Sequence, residues 1–280
     1  CRSGGEGGLG AGARRCAGAR QAAVEALWPG TALAAIVDKH NNNLAVEYCK
    51  AILEQEAPMT PVPLPRVGAG HGQALAESGH AQFASASALR TLWQNGGADA
   101  AAPYVPAEVL PLYREAFAAG QYTDLAAAQR CQLALLRSRC AEIAPFAQVR
   151  GISEGLEHRL EAAVRSSTTH AELLDSLTTV RYPRARMRRL AMDAALGYTA
   201  QTPALPPYLH LRGARKEELP LLGETALPLS HSLARLAREN GTCTQMAAAQ
   251  SRASDLGALC REKPEPMGGI YRQKIIFLTN

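Results

Sequence analysis

Residues 83–93 read FASASALRTLW, a Ser85-x-Ser87 pair ahead of an apolar repeat at Leu89 and Leu92 or Trp93. Serine in front of such a repeat predicts a capped helix start, with Leu89 and Leu92 or Trp93 facing inward. Arg90 falls one turn into that helix. Its guanidinium, the serine hydroxyls and the unpaired N–H groups of the first turn can therefore converge on one anion. A plain N-cap beside a surface arginine explains the same residues, and the segment by itself leaves both readings open. Immediately upstream, PVPLPRVGAGHG (61–72) sets Val62, Leu64 and Arg66 among prolines. Prolines cannot donate to a sheet ladder, so the pattern predicts an edge strand that ends in a glycine loop able to approach a ligand closely. His71 and His80 flank that loop; a structural or positioning role suits each better than a mechanistic one, since a lone histidine is seldom catalytic.

Further upstream, KHNNNLAVEYCKAIL (39–53) places Leu44, Tyr48 and Ile52 four apart on one helical face, with Asn43 as the expected cap. The Asn41-Asn42-Asn43 run leaves amides suited to a purine or ribose edge, although a solvated turn accounts for them equally well. QAAVEALWPG (21–30) is an amphipathic run closed by Pro29 and Gly30, followed by a short apolar segment at 33–37. Residues 1–20 hold seven Gly and four Arg and begin without Met. They offer no apolar face, so disorder is expected there, and a fragment, a misread frame or a processed end is expected at the start of the chain.

Downstream, NGGADAAAPYVPAEVLP (95–111) is rich in turn residues and marks a boundary, beyond which the sequence is helical. Residues 156–164 repeat apolar at Leu156, Leu160, Ala163 and Val164, with Glu154 and Glu157 expected in the first turn, where the helix dipole favours acids. Thr169 and Glu172 have the spacing of a capping box, and a third helix is expected from Pro183 to Gly197. RYPRARMRR (181–189) brings Arg181, Arg184, Arg186, Arg188 and Arg189 together without an acid. Cations at a helix start oppose the macrodipole, so a compensating anion is expected. RNA phosphate and a merely solvated basic face both remain open on charge alone. Residues 205–222 are expected to form a short strand and a helix, and 274–277 a last strand.

Composition narrows the class. Of the 280 residues, 47% are apolar and 20% charged, which excludes wholesale disorder and collagen-like sequence. No window approaches the roughly 20 apolar residues of a membrane span and no secretory apolar core is present, so a cytoplasmic protein is expected. Seven scattered cysteines without CxxC or Cys/His pairing predict reduced thiols and no zinc site. The net charge of +5 comprises 25 Arg and five Lys against 25 acids, and residues 130–189 alone carry eleven Arg against six acids. Arginine is the fork-shaped phosphate binder, so the charge signal is local to the helical half.

Four blocks agree in order and spacing with one family: K-x-N-N-x-L-x-x-E-Y-x-K-A (39–51), P-x-x-R-V-G-A-G-H (63–71), F-A-S-A-S-A-L-R (83–90), and G-I-S-E-G-L-E-x-R (151–159) followed by T-x-R-Y-P-x-x-R-x-x-R (179–189). The chain resembles the bacterial tRNA(Met) cytidine acetate ligases of the nucleotidyltransferase superfamily, from about Gln21 to its end. The resemblance implies an α/β plus α protein: part of a Rossmann-like ATP-binding domain over 21–100, then a mainly helical tRNA-binding domain over 105–280. It also implies that ATP, with Mg²⁺ accompanying it, and acetate form acetyl-adenylate and pyrophosphate, and that the wobble cytidine of elongator tRNA(Met) accepts the acetyl group. By the same resemblance Asn41, Asn42, Arg66 and Val67 hold the nucleotide, Ser85, Ser87 and Arg90 hold the departing β,γ-phosphates, and Arg181–Arg189 face tRNA.

The family's H-x-G-H phosphate signature does not occur among these residues, and His40 stands where the family has proline. An N-terminally truncated or frameshifted version, impaired in adenylation, is therefore expected. The competing readings are a non-catalytic tRNA-binding remnant and a small-molecule adenylyltransferase.

Overall fold

The computed structural model describes residues 16–37, 40–64 and 84–278. The chain divides into two compact units, Cys1–Thr91 and Leu92–Asn280. In the first, α1 (Cys16–Leu27) stops just before Pro29, and Gly30 donates its N–H to Glu25 Oε1 at 3.0 Å. Residues 16–20, expected to lack structure, are thus helical. Thr31 caps α2 (Ala32–Ile36), accepting from the Ala34 N–H at 3.4 Å, so the apolar segment at 33–37 is a short helix. Then comes α3 (His40–Glu54). Because α3 already begins at His40, Asn43 lies inside its first turn and is not the cap. Residues 61–64 have no regular structure, so the expected edge strand does not start there; the rest of that stretch lies outside the described residues.

α4 (Ala86–Gly96) runs across the division between the units. Leu89, Leu92 and Trp93 are half-buried on it, not enclosed. In the second unit a 3₁₀ turn over Ala98–Tyr104 leads to α5 (Leu110–Ala118). Asp124 caps α6 (Leu125–Arg139), its Oδ1 accepting from Ala126 and Ala127 N–H groups at 2.8 and 3.2 Å. α7 (Leu156–Ser166), α8 (His170–Leu177) and α9 (Arg184–Leu196) close on α6. Their shared core holds Leu133, Leu136, Phe146, Leu160, Leu173 and Met187 among other buried apolar residues. The four predicted positions Leu156, Leu160, Ala163 and Val164 are all buried, as the 3.6-residue period requires.

The Thr169 hydroxyl accepts from Glu172 N–H at 3.2 Å, while the Glu172 carboxylate reaches one residue further back than expected, to the Thr168 N–H at 2.8 Å. The bonds that the Thr168 N–H and hydroxyl donate to it hold the Glu172 carboxyl below its usual range. Gly197 ends α9 with φ +72°, a conformation that L side chains adopt at a cost. Glu154 sits before α7 with φ +56° rather than in its first turn.

The last third packs Tyr208, Leu233, Leu236, Cys243, Ala247 and Ile270 into a second core cluster. Its helices are α10 (Leu233–Leu236), α11 (Gly241–Leu259) and α12 (Gly269–Arg272). Two parallel strand pairs accompany them: β1 (Leu209–His210) with β3 (Leu229–Ser230), and β2 (Gly213–Arg215) with β4 (Ile276–Leu278). The helix expected after the first strand is a 3₁₀ stretch, Lys216–Glu224, with Pro220 inside it. Pro220 has no N–H to give an α-helical ladder. Among the described residues no helix is long and apolar enough to cross a membrane.

Candidate functional site

The start of α4 holds the serine pair and arginine that the sequence singles out as candidate anion-binding groups. Ser85 is 5% exposed, and its Oγ accepts from the Ala88 N–H at 3.2 Å. It is therefore engaged as the helix cap and orients the first turn. Ser87 is half-buried on that turn, and Arg90 is exposed one turn further on with no ion pair among the described residues. No acid lies in the first turn of α4. The first turns of α4 thus carry a hydroxyl and a guanidinium on a helix whose start leaves N–H groups unpaired, donor types that suit a phosphate oxygen.

α3 carries the amides. Asn42 Nδ2 donates to the Ile36 carbonyl at 2.9 Å, and Asn43 Nδ2 donates to the Val37 carbonyl at 2.5 Å. These bonds satisfy carbonyls left open at the end of α2 and fix the α2–α3 corner. The sequence reading missed this role because 33–37 did not read as a helix. Asn42 retains its amide oxygen, an acceptor for an exocyclic amine or a ribose hydroxyl. Among the described residues Asn42 makes no hydrogen bond to Ser85, Ser87 or Arg90. Arg66, Val67, His71 and His80 lie outside the described residues, and of Asn41 only the helical backbone is described.

The arginine-rich entry to α9 is less free than its sequence suggests. Arg181 pairs with Glu154 and Arg184 with Asp175. The guanidinium groups of Arg181 and Arg186 lie over the Tyr182 ring at 5.7 and 5.2 Å, and Arg186 also reaches the Gly151 carbonyl at 3.4 Å. The anions that the helix dipole calls for are therefore partly supplied by the protein itself. Arg188 and Arg189 remain exposed without a carboxylate within ion-pair distance among the described residues. Burial, then Arg184 and Arg188, holds the His170 imidazole below its usual pKa.

A polar chain in the second unit had no counterpart in the sequence reading. The Tyr208 hydroxyl donates to Gln250 Oε1 at 2.8 Å, Gln250 Nε2 meets His210 Nδ1 at 3.3 Å, and His210 Nε2 meets the His231 carbonyl at 3.2 Å. The His231 carbonyl can only accept, so Nε2 of His210 carries the proton, and Nδ1 accepts from the Gln250 amide. Burial first, then the charges of Arg212 and His231, press the His210 pKa down. These residues span 42 positions, beyond the reach of local spacing. Among the described residues no group of three or more His, Cys, Asp or Glu side chains is arranged to hold a metal ion. Cys49, Cys131, Cys140, Cys243 and Cys260 carry free thiols.

Residues 15–268 match the HIGH Nucleotidyl Transferase family. The chain is 30% identical over 183 residues to the tRNA(Met) cytidine acetate ligase of Listeria monocytogenes, covering 64% of this chain and 44% of that protein. Its identity to the Acetivibrio thermocellus protein of the same name is 25% over 265 residues, covering 87% of this chain and 62% of that one. The chain thus spans about half the length of the curated relatives it matches. Among solved structures, Thermotoga maritima TmcAL bound with alpha-thio ATP is similar with a TM-score of 0.75 at 17% identity, over 94% of this chain and 66% of that one. Its apo form gives 0.77 at 18% identity, over 93% and 66%. The shared fold carries the α/β plus helical class expected from the sequence.

Proposed function

Since the chain belongs to the HIGH nucleotidyl transferase family, we propose that it is an ATP-dependent tRNA-modifying ligase of the cytoplasm. Its substrates in this reading are ATP with accompanying Mg²⁺, acetate and elongator tRNA(Met), and its product is N4-acetylcytidine at the wobble position. The observation that carries the reading is the start of α4, where the cap Ser85 sets a first turn that presents Ser87 and the exposed Arg90 without a neighbouring acid. When bound there, ATP supplies an activated phosphoryl centre for the carboxylate of acetate. Ser87 and Arg90 neutralise charge on the departing β,γ-phosphates, which is where adenylation needs most help. The Asn42 amide oxygen, with Asn41, Arg66 and Val67, accounts for the rest of the nucleotide. Arg188 and Arg189 face tRNA phosphates more readily than Arg181 and Arg184, whose guanidinium groups already hold carboxylates. The relatives' names and the ATP-analogue complex of the structural neighbour support this reading.

These 280 residues contain no H-x-G-H, so the polypeptide by itself is expected to bind both substrates and to adenylate acetate slowly or not at all. Equilibrium dialysis with ATP and filter binding with a tRNA(Met) transcript test this together with acetate-dependent ATP–pyrophosphate exchange. Binding of both with little exchange is the expected result. Absence of ATP binding rejects the ligase reading in favour of a tRNA-binding protein, and efficient exchange rejects the impairment.

A further inference from the structure

The pairing of β2 with β4 brings together two stretches of the second unit that carry basic residues and no acid, 205–216 and 266–278. The Ile276 N–H donates to the Arg212 carbonyl at 3.1 Å, which seats Arg212 against the chain that follows Lys274. Beside this joint lies an open cleft of about 380 Å³, lined by His231, Ser232, Tyr271, Gln273, Lys274 and Ile275. Its walls are held in place. Ile270, next to Tyr271, is 8% exposed within the second core cluster, and the Tyr208–Gln250–His210 chain holds the His231 carbonyl. Tyr271 keeps 43% of its surface exposed, and neither Lys274 nor Arg212 has a carboxylate within ion-pair distance among the described residues. Lys216, the residue that follows β2, lies over the Phe277 ring of β4 at 5.6 Å, adding a cation beside the strand pair.

An exposed aromatic ring beside unpaired cations is the pattern that receives single-stranded nucleic acid, the ring stacking a base and the cations taking its phosphates. We propose that this cleft is a subsite for one unpaired nucleotide of RNA, with the base laid on Tyr271 and the backbone held by Lys274 and Arg212. The inference rests on the reading that the partner is tRNA, and it adds an RNA contact to that of the α9 arginines. Gln273 lines the same cleft and offers its amide to the base edge, whereas the Ser232 hydroxyl is engaged as the α10 cap, accepting from the Arg235 N–H at 3.3 Å. A double-stranded stem does not expose its base faces, so the nucleotide comes from a loop or an end.

The test is fluorescence anisotropy of a labelled tRNA(Met) transcript titrated with the full chain at several salt concentrations, with folding of each variant checked by circular dichroism. Tyr271→Ala should weaken binding roughly fivefold or more with an unchanged salt slope, and Tyr271→Phe should bind like the unaltered protein. Lys274→Gln should weaken binding and lower the salt slope by about 0.7 to 0.9, the loss of one phosphate contact. If Tyr271→Ala and Lys274→Gln bind like the unaltered chain, the cleft is not a subsite while the tRNA reading stands. If Tyr271→Phe falls as far as Tyr271→Ala, stacking is wrong. If the unaltered chain binds no tRNA at low salt, both the subsite and the tRNA reading fall.

Discussion

Two helices with the same apolar spacing meet different fates. On α7, Leu156, Leu160 and Val164 are at most 1% exposed, whereas on α3 Leu44 and Tyr48 keep 55% and 63% of their surface exposed. Periodicity tells which face of a helix is apolar; only the presence of packing partners decides whether burying it contributes stability. α7 has α6 and α8 beside it, and their side chains interlock into one cluster. The second unit is therefore the part of the described chain whose stability can be dissected by mutation, while α3 and α4 display residues to their surroundings.

The sharpest way to break this contrast is Leu160→Ala, which should cost about 2–5 kcal/mol in urea unfolding because a fully buried side chain leaves a cavity. A loss below about 1 kcal/mol would show that the α6–α9 core is looser than its burial implies. Arg139→Ala comes next. Its guanidinium donates to the Ala194 and Pro145 carbonyls at 2.6 Å and lies over the Phe146 ring at 5.4 Å, so removal should cost about 1–3 kcal/mol. Thr169→Ala removes the α8 cap and should cost about 1 kcal/mol.

Acid should act through His170. Its folded pKa lies below the ordinary value of 6.5, so the unfolded chain takes up the proton first. The contribution is fully present above pH 6.5 and lost as pH falls below it, toward the folded pKa. Urea midpoints at pH 7.5 and 5.5 should therefore differ less for His170→Asn than for the unaltered chain. The smallest expected effect is Leu44→Ala, within about 0.5 kcal/mol, as for other exposed positions. A loss as large as that of Leu160→Ala would erase the contrast between α3 and α7.

The features legible in the sequence were those written locally. The buried stripe of α7, the Thr169 cap, the Gly197 stop and the Ser85 cap each depend on residues within about one or two turns, where spacing dictates geometry. What escaped was non-local. Asn42 and Asn43 serve the end of α2, whose five residues are too short for a periodic signal. Glu154 and Asp175 reach Arg181 and Arg184 from separate elements, which turned an apparently acid-free basic run into a partly neutralised one. Likewise, His231 and Lys274 lie 43 positions apart and meet in one cleft only through the tertiary packing. For the start of α4 the residue types were legible, but their division of labour was not: Ser85 is committed to capping, so in the proposed reading the phosphate contacts fall to Ser87 and Arg90.

The central claim, that Ser87 and Arg90 grip the phosphates that leave, is tested most directly by calorimetric titration of ATP and of AMP into the unaltered chain and into Arg90→Ala. The account predicts that the variant loses about tenfold or more in ATP affinity, the worth of a charge-assisted contact, with AMP affinity unchanged. Equal losses for both nucleotides, or no loss for ATP, would contradict it.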